Sequence, residues 1–134
     1  GRGALAGYGV GDRVGFLGGD FLRTPLPDGF DAAWLSQVLQ GEAPADAARL
    51  VERGAACLDP GGLLAVQEFI IDDDRRGPAQ PALFSLNMLV QTPGGQAYSG
   101  KELADMLRHA GADSVRKLDI DLPQNCGIVV GEIP

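Results

Sequence analysis

Two apolar runs constrain this chain more than any other feature. Residues 30–39 (FDAAWLSQVL) are almost continuously apolar, and residues 63–71 (LLAVQEFII) repeat the pattern with a single carboxylate, Glu68. A strand with one wet face alternates apolar and polar positions. Uninterrupted runs bounded by turn residues instead indicate strands covered on both faces, as in a parallel sheet. Between them Pro44 stands where a helix starts, and Ala48, Val51, Ala55 and Leu58 recur at helical spacing until Asp59-Pro60-Gly61-Gly62 stops the element. Strand, helix, strand in this order is a βαβ unit, so the fold class is α/β.

The same alternation extends in both directions. Residues 1–11 are rich in glycine and alanine, with a helix end in their middle, and Val14, Phe16 and Leu17 make a short strand that stops at Gly18-Gly19-Asp20. Residues 72–81 are charged and carry prolines, which marks a surface loop. Leu83, Leu86, Met88, Leu89 and Val90 suit a helix over 82–90, ended by Thr92-Pro93-Gly94-Gly95. Ser99 followed by Glu102 is a capping box, and Leu103, Met106, Leu107 and Ala110 form the stripe of a helix that Gly111 terminates. Residues 115–120 and 127–133 are two closing strands, joined through 121–125 as an antiparallel hairpin at the sheet edge.

The 134 residues, 45% of them hydrophobic, suffice for one globular domain with a real core. At roughly 30 residues per βα unit, about four units fit. A net charge of −7 opposes both a nucleic-acid backbone and an anionic membrane as partner. No apolar run approaches the roughly 20 residues that span a bilayer, and the N-terminus lacks a secretory pattern, so the expected setting is cytoplasmic. Cys57 and Cys126 are too few and too far apart for a disulfide framework or a zinc site and are expected to be buried thiols.

Several motifs carry chemistry. Gly7-Tyr8-Gly9-Val10-Gly11 has the look of a phosphate-cradling loop, but it precedes a strand instead of following one, so it is expected to be a turn after a helix. Gly19-Asp20-Phe21 ends a strand, where ligands bind in doubly wound sheets. Asp20 can accept a hydrogen bond from an exocyclic amine or a ribose hydroxyl while Phe21 packs on a flat base, or the segment is an ordinary turn. Glu68 interrupts an apolar strand, where an unpaired carboxylate is costly. It must face a cleft at the strand's carboxyl end or have a partner, in either a catalytic or a structural role. The single histidine, His109, lies off its helix stripe near the helix C-terminus and reads as a solvated residue favoured by the dipole. One histidine cannot build a Ser-His-Asp triad or a histidine-based metal site, and no metal is expected.

Taken in order, DRVGFLGGDF (12–21), PLPDGFDAAWLSQVL (25–39), LDPGGLLAVQEFIID (58–72) and FSLNMLVQTPGGQAYSGKELADMLRHAGA (84–112), with the closing strands, resemble a known family. It is the C-terminal catalytic domain of S-adenosyl-L-methionine-dependent small-molecule O-methyltransferases of the caffeate and anthracycline type. The resemblance covers nearly the whole chain. It implies a Rossmann-like class I methyltransferase sheet of order 3-2-1-4-5-7-6, mostly parallel, with helices on both faces and a C-terminal antiparallel hairpin. The strand at Val14 would be the third, that at 30–39 the fourth and that at 63–71 the fifth. The cofactor S-adenosyl-L-methionine would be held by Gly19, Asp20, Phe21 and Ser36. Trp34, Phe84, Met88 and Thr92 would line the pocket for a hydroxylated small-molecule acceptor, and the intact protein would be a homodimer.

Two departures from the family qualify this. Where many members carry a catalytic His-Asp-Trp after the fourth strand, this chain reads Gln40-Gly41-Glu42, and glutamine takes no proton at neutral pH. Glu68 matches one of two carboxylates that orient the base; Ala97 stands in place of the other. Gln40 and Glu68 are therefore the catalytic candidates, working by orientation, or the protein is a methyltransferase-like module that binds, dimerises, hydroxylates or decarboxylates without methylating. Strand one with its glycine-rich loop, strand two and the dimerisation region have no counterpart in residues 1–134. The chain is thus expected to be a partial domain, with strand three left without a neighbour.

Overall fold

The computed structural model describes residues 7–134; the helix end expected within 1–6 lies outside them. In chain order the main elements are β1 (Phe30–Ser36), α1 (Pro44–Ala55), β2 (Leu58–Ile71), α2 (Ala79–Gln91), β3 (Tyr98–Ser99), α3 (Gly100–His109), β4 (Asp113–Lys117) and β5 (Cys126–Glu132). They form one mixed sheet of order β1-β2-β5-β4, with the short β3 pairing β2. β1 runs parallel to β2, and β5 inserts antiparallel between β2 and β4. That placement is the expected closing hairpin at the sheet edge.

Local chemistry explains the helices. Pro44 occupies the start of α1, where its missing N–H costs nothing, and Ala47, Leu50, Val51 and Ala55 turn inward. The Ser99–Glu102 capping box closes the N-terminus of α3, its two reciprocal bonds at 2.8 and 3.3 Å, and Leu103 and Leu107 are buried. Gly111 follows in the left-handed conformation at φ 92°. These faces of α1 and α3 join Leu64, Val66 and Ile70 of β2 and Val129 of β5 in the principal core. On the opposite face Ala65, Ile128 and Val130 form a small second cluster with Leu118 and Leu122. His109 is exposed, as expected, with Nδ1 2.7 Å from the Asp105 carbonyl.

α2 begins at Ala79, inside the expected loop 72–81, because Pro78 and Pro81 fall at its N-cap and in its first turn, where no N–H is needed, and β4 spans Asp113–Lys117 instead of 115–120 because its ladder to β5 starts at the Asp113–Glu132 pair. Four larger expectations are also corrected. Residues 14–17 join no sheet, and Val14 and Leu17 are exposed, because no described segment offers a ladder to them. β1 stops at Ser36 and is covered on one face only: Ala33 and Leu35 reach the core while Trp34 remains 58% exposed, since no layer among the described residues packs over its side of the sheet. β2 starts earlier than position 63, at Leu58, because the Gly61–Gly62 segment exchanges backbone hydrogen bonds with Ile133. Both cysteines are half-buried: Cys57 donates to the Arg53 carbonyl and Cys126 accepts from Gln37. Residues 7–9 form a turn, followed by a short 3-10 helix, Gly11–Arg13, in keeping with the non-cofactor reading of the glycine motif.

Candidate functional site

At the carboxyl end of β1 the chain turns sharply. Gln37 adopts φ 55°, unusual for a residue with a side chain, and its N–H donates to the Gln67 carbonyl at 2.9 Å. A 3-10 turn, Leu39–Gly41, then leads to α1. The turn is held from beneath by Glu68, whose side chain points into the core side of β2 and is 1% exposed. Glu68 Oε1 accepts the backbone N–H groups of Val38 at 2.8 Å and Leu39 at 2.7 Å. The other oxygen, Oε2, is buried without a hydrogen-bond partner, as is Oε1 of Gln40. Burial pushes the Glu68 carboxyl up to about 7, against the lowering effect of the N–H groups of Leu39, Val38 and Gln40.

The turn is also pressed from above. A Cβ on Gly95 would lie 2.5 Å from the Gln40 carbonyl oxygen and would collide with Thr92 Oγ1, so only glycine fits where the Pro-Gly-Gly loop crosses it. Thr92 Oγ1 donates to the Met88 carbonyl and accepts from Gly95 N–H, both at 2.8 Å, fixing that loop to the end of α2. Tyr98, almost fully buried, donates its hydroxyl to the Glu42 carbonyl at 2.7 Å, and burial holds its phenol up at about 12. The segment 37–42 is therefore pinned at both ends and underneath.

Of the residues proposed from the sequence, Gln40, Glu68 and Thr92 meet at this turn. Met88 takes part through Thr92, whose N–H and hydroxyl both donate to its carbonyl. Phe84 stacks on Phe69, ring centroids 4.5 Å apart. Trp34 and Ser36 lie on the other sheet face, Ser36 donating to Gln67 Oε1 at 3.1 Å. Gly19, Asp20 and Phe21 sit on a loop bound to the last turn of α1, a helix of 12 residues and so roughly 18 Å long, whose first turn adjoins the Gln40 segment. Asp20 Oδ1 accepts the Leu22 N–H at 2.9 Å, and the Phe21 ring is 43% exposed.

Four participants escaped sequence reading. Tyr98 and Gly95 act through backbone contacts that no pattern encodes. Gln37 and Cys126, joined by a 3.3 Å hydrogen bond, help line an open cavity of about 380 Å³ with Gln67, Phe69, Leu122, Pro123 and Gln124. Six of the seven lining side chains cannot ionise, and burial pushes the Cys126 thiol up. The described residues hold no cluster of three or more metal-ligating side chains, and no helix among them is long and apolar enough to cross a membrane.

Comparison with known proteins identifies what this arrangement belongs to. Residues 5–113 match the family model of the O-methyltransferase domain. The chain is a member of that family. Within it, the chain is 38% identical over 130 residues to 3-hydroxy-5-methyl-1-naphthoate 3-O-methyltransferase of Streptomyces sahachiroi, covering 95% of this chain and 36% of that protein. Its backbone superposes on PigF with SAH at a TM-score of 0.86 and 33% identity, over 98% of this chain and 38% of that one. The human N-acetylserotonin methyltransferase structure in complex with SAM gives 0.80 and 33%, over 91% and 34% of the two chains. The chain thus spans little more than a third of the O-methyltransferases it matches. The fold is that of class I S-adenosyl-L-methionine-dependent methyltransferases.

Proposed function

We propose that residues 1–134 are the C-terminal part of the catalytic domain of an S-adenosyl-L-methionine-dependent O-methyltransferase. Its acceptor is a phenolic or polyketide-like small molecule, and the transfer relies on orientation in place of a histidine base. The observation that carries this reading is the pinned turn bearing Gln40 and supported by Glu68, at the carboxyl end of parallel strands in a member of this family.

The donor set suits an adenosine. Phe21 offers an exposed ring to a flat base, Asp20 a carboxylate to an amine or a ribose hydroxyl, and Ser36 an exposed hydroxyl. A glycine-rich loop for the methionine end has no counterpart in residues 1–134. When bound, the cofactor supplies an electrophilic methyl group. Gln40 has a buried, unpartnered amide oxygen that, on rotation of its side chain outward, would accept a hydrogen bond from the acceptor hydroxyl and so aim its oxygen. A general base contributes about 10²- to 10⁴-fold, whereas fixing the nucleophile in line supplies roughly 7–11 kcal/mol, so positioning is the larger effect. The uncharged cavity of about 380 Å³ beside Gln37 and Phe69 has the size and lining of a site for a neutral ring system. A homodimer, and a cytoplasmic setting, belong to the same proposal.

Ala97 supports a second reading. It is fully buried where the family's second orienting carboxylate would stand, so the apparatus that directs a base is halved, as in a methyltransferase-like protein that no longer methylates. The intact gene product, incubated with S-adenosyl-L-methionine and a panel of phenols, distinguishes the two by mass spectrometry and calorimetry. A methylated product supports the first reading. Cofactor binding without product supports the second, and absence of both overturns the first.

A further inference from the structure

Arg53 sits in the last turn of α1, on no apolar stripe and in no motif, yet together with Leu22, whose side chain packs on the principal core, it joins the Gly19–Asp20–Phe21 loop to the rest of the fold. Its Nε donates to the Phe21 carbonyl at 2.8 Å and its Nη2 donates to the Thr24 carbonyl. The loop closes on itself: the Asp20 carbonyl accepts from Arg23 N–H at 3.0 Å and Thr24 N–H at 2.7 Å, and Asp20 Oδ1 accepts from Leu22 N–H at 2.9 Å. Gly19 admits no side chain, because a Cβ there would run into Thr24. These bonds give the turn its shape but not its direction. Leu22 anchors the loop on the core, and the two carbonyls that face α1 fix its rotation about that anchor; two separate nitrogens of a planar guanidinium fork reach them, whereas an ammonium presents its three N–H groups from one nitrogen.

We propose that Arg53 is a positioning residue for cofactor binding: by holding the Phe21 and Thr24 carbonyls, its guanidinium sets the direction in which the Phe21 ring and the Asp20 carboxylate are presented to the adenosine. The inference rests on the reading above that these two residues contact the cofactor. Among the described residues Asp20 Oδ2 is engaged by Arg23 at 3.6 Å, in an exposed pair that water screens, so it is available to a ligand. Because α1 also begins beside the Gln40 segment, the same helix carries the cofactor loop at one end and the acceptor-orienting turn at the other.

The test uses the intact gene product and its Arg53→Lys and Arg53→Ala variants. In the cofactor-free protein, hydrogen exchange of the Leu22, Arg23 and Thr24 amides is expected to accelerate in both variants while the core amides of β2 stay protected. The Kd for S-adenosylhomocysteine and the KM for S-adenosyl-L-methionine are expected to rise about tenfold, the worth of one charge-assisted hydrogen bond. The acceptor KM and kcat at saturating cofactor should stay within about twofold. Lysine, which keeps the charge and the stem, should recover thermal stability but not cofactor affinity, an outcome that a merely structural role does not produce. Wild-type cofactor affinity in Arg53→Lys, or a parallel fall of kcat, affinity and Tm, overturns the inference. If the wild-type protein itself binds no S-adenosylhomocysteine, it is the functional reading that fails, and this inference fails with it.

Discussion

Replacing Glu68 by glutamine is expected to stabilise the protein above neutral pH and to leave it nearly unchanged in mild acid. In the folded protein the carboxyl takes up its proton near 7, against 4.5 for the free group. Between those values the folded state binds more protons than the unfolded chain. Stability from this group is therefore fully present below about pH 4.5 and is lost as the pH rises through 7. At about 1.4 kcal/mol per unit, ionisation of the buried group costs about 3 kcal/mol by pH 8. The amide oxygen of a glutamine at this position can accept the same two N–H groups of Val38 and Leu39 without ionising. The Glu68→Gln variant should therefore gain about 2–3 kcal/mol over the wild type at pH 8 and differ by less than about 1 kcal/mol at pH 5. Glu68→Ala, which leaves both N–H groups unpaired in the core, should lose about 2–5 kcal/mol at pH 5. Urea unfolding followed by the fluorescence of Trp34, the single tryptophan, measures both variants. Taking the difference between variant and wild type at each pH cancels the titration of the other carboxylates. A gap that stays constant with pH, or a wild type that becomes relatively more stable as the pH rises from 5 to 8, refutes the reasoning. Either result would mean that Glu68 is an ionised carboxylate held by its N–H pair.

Other consequences can be measured on the same protein. Gly95→Ala places a methyl group against the Gln40 carbonyl and Thr92, and should cost about 2–4 kcal/mol in urea unfolding while abolishing turnover through displacement of the turn. Tyr98→Phe removes the 2.7 Å hydrogen bond to the Glu42 carbonyl and should lower stability by about 1–2 kcal/mol with little change in secondary structure by circular dichroism. Gln40→His reintroduces a titratable base above Glu68. Because orientation suffices without a base, kcat/KM for phenols should not rise and its pH profile should stay unchanged, whereas a gain of about tenfold or more with an ascending limb near the histidine pKa would count against orientation as the wild-type strategy.

Much of the scaffold was legible because it is written locally. Pro44, the Ser99–Glu102 box and Gly111 mark helix ends through bonds or steric effects that span a few residues. The runs around Leu64 and Val129 report burial directly. Glu68 was legible as an anomaly, since a carboxylate amid apolar neighbours demands a reason. Its partners were not, for they are backbone N–H groups that any side-chain sequence would supply. Tyr98 and Gly95 stayed hidden for the same reason: each meets the turn at a carbonyl oxygen, and carbonyls leave no mark on sequence.

By itself, the sequence of this O-methyltransferase family member determined the alternation of strands and helices from residue 30 onward, the start of α1, both ends of α3 and the need for some partner at Glu68, because these follow from propensity, periodicity and the cost of burying charge. Only the tertiary structure decided which strands find neighbours, so that residues 14–17 join no sheet and Trp34 stays exposed although both lie in apolar runs. It also decided which proposed residues meet, bringing Gln40, Glu68 and Thr92 to one turn while tying Asp20 and Phe21 to Arg53 at the far end of α1. A ladder and a site each need a second segment at hydrogen-bonding distance, and that distance is a property of the folded chain as a whole.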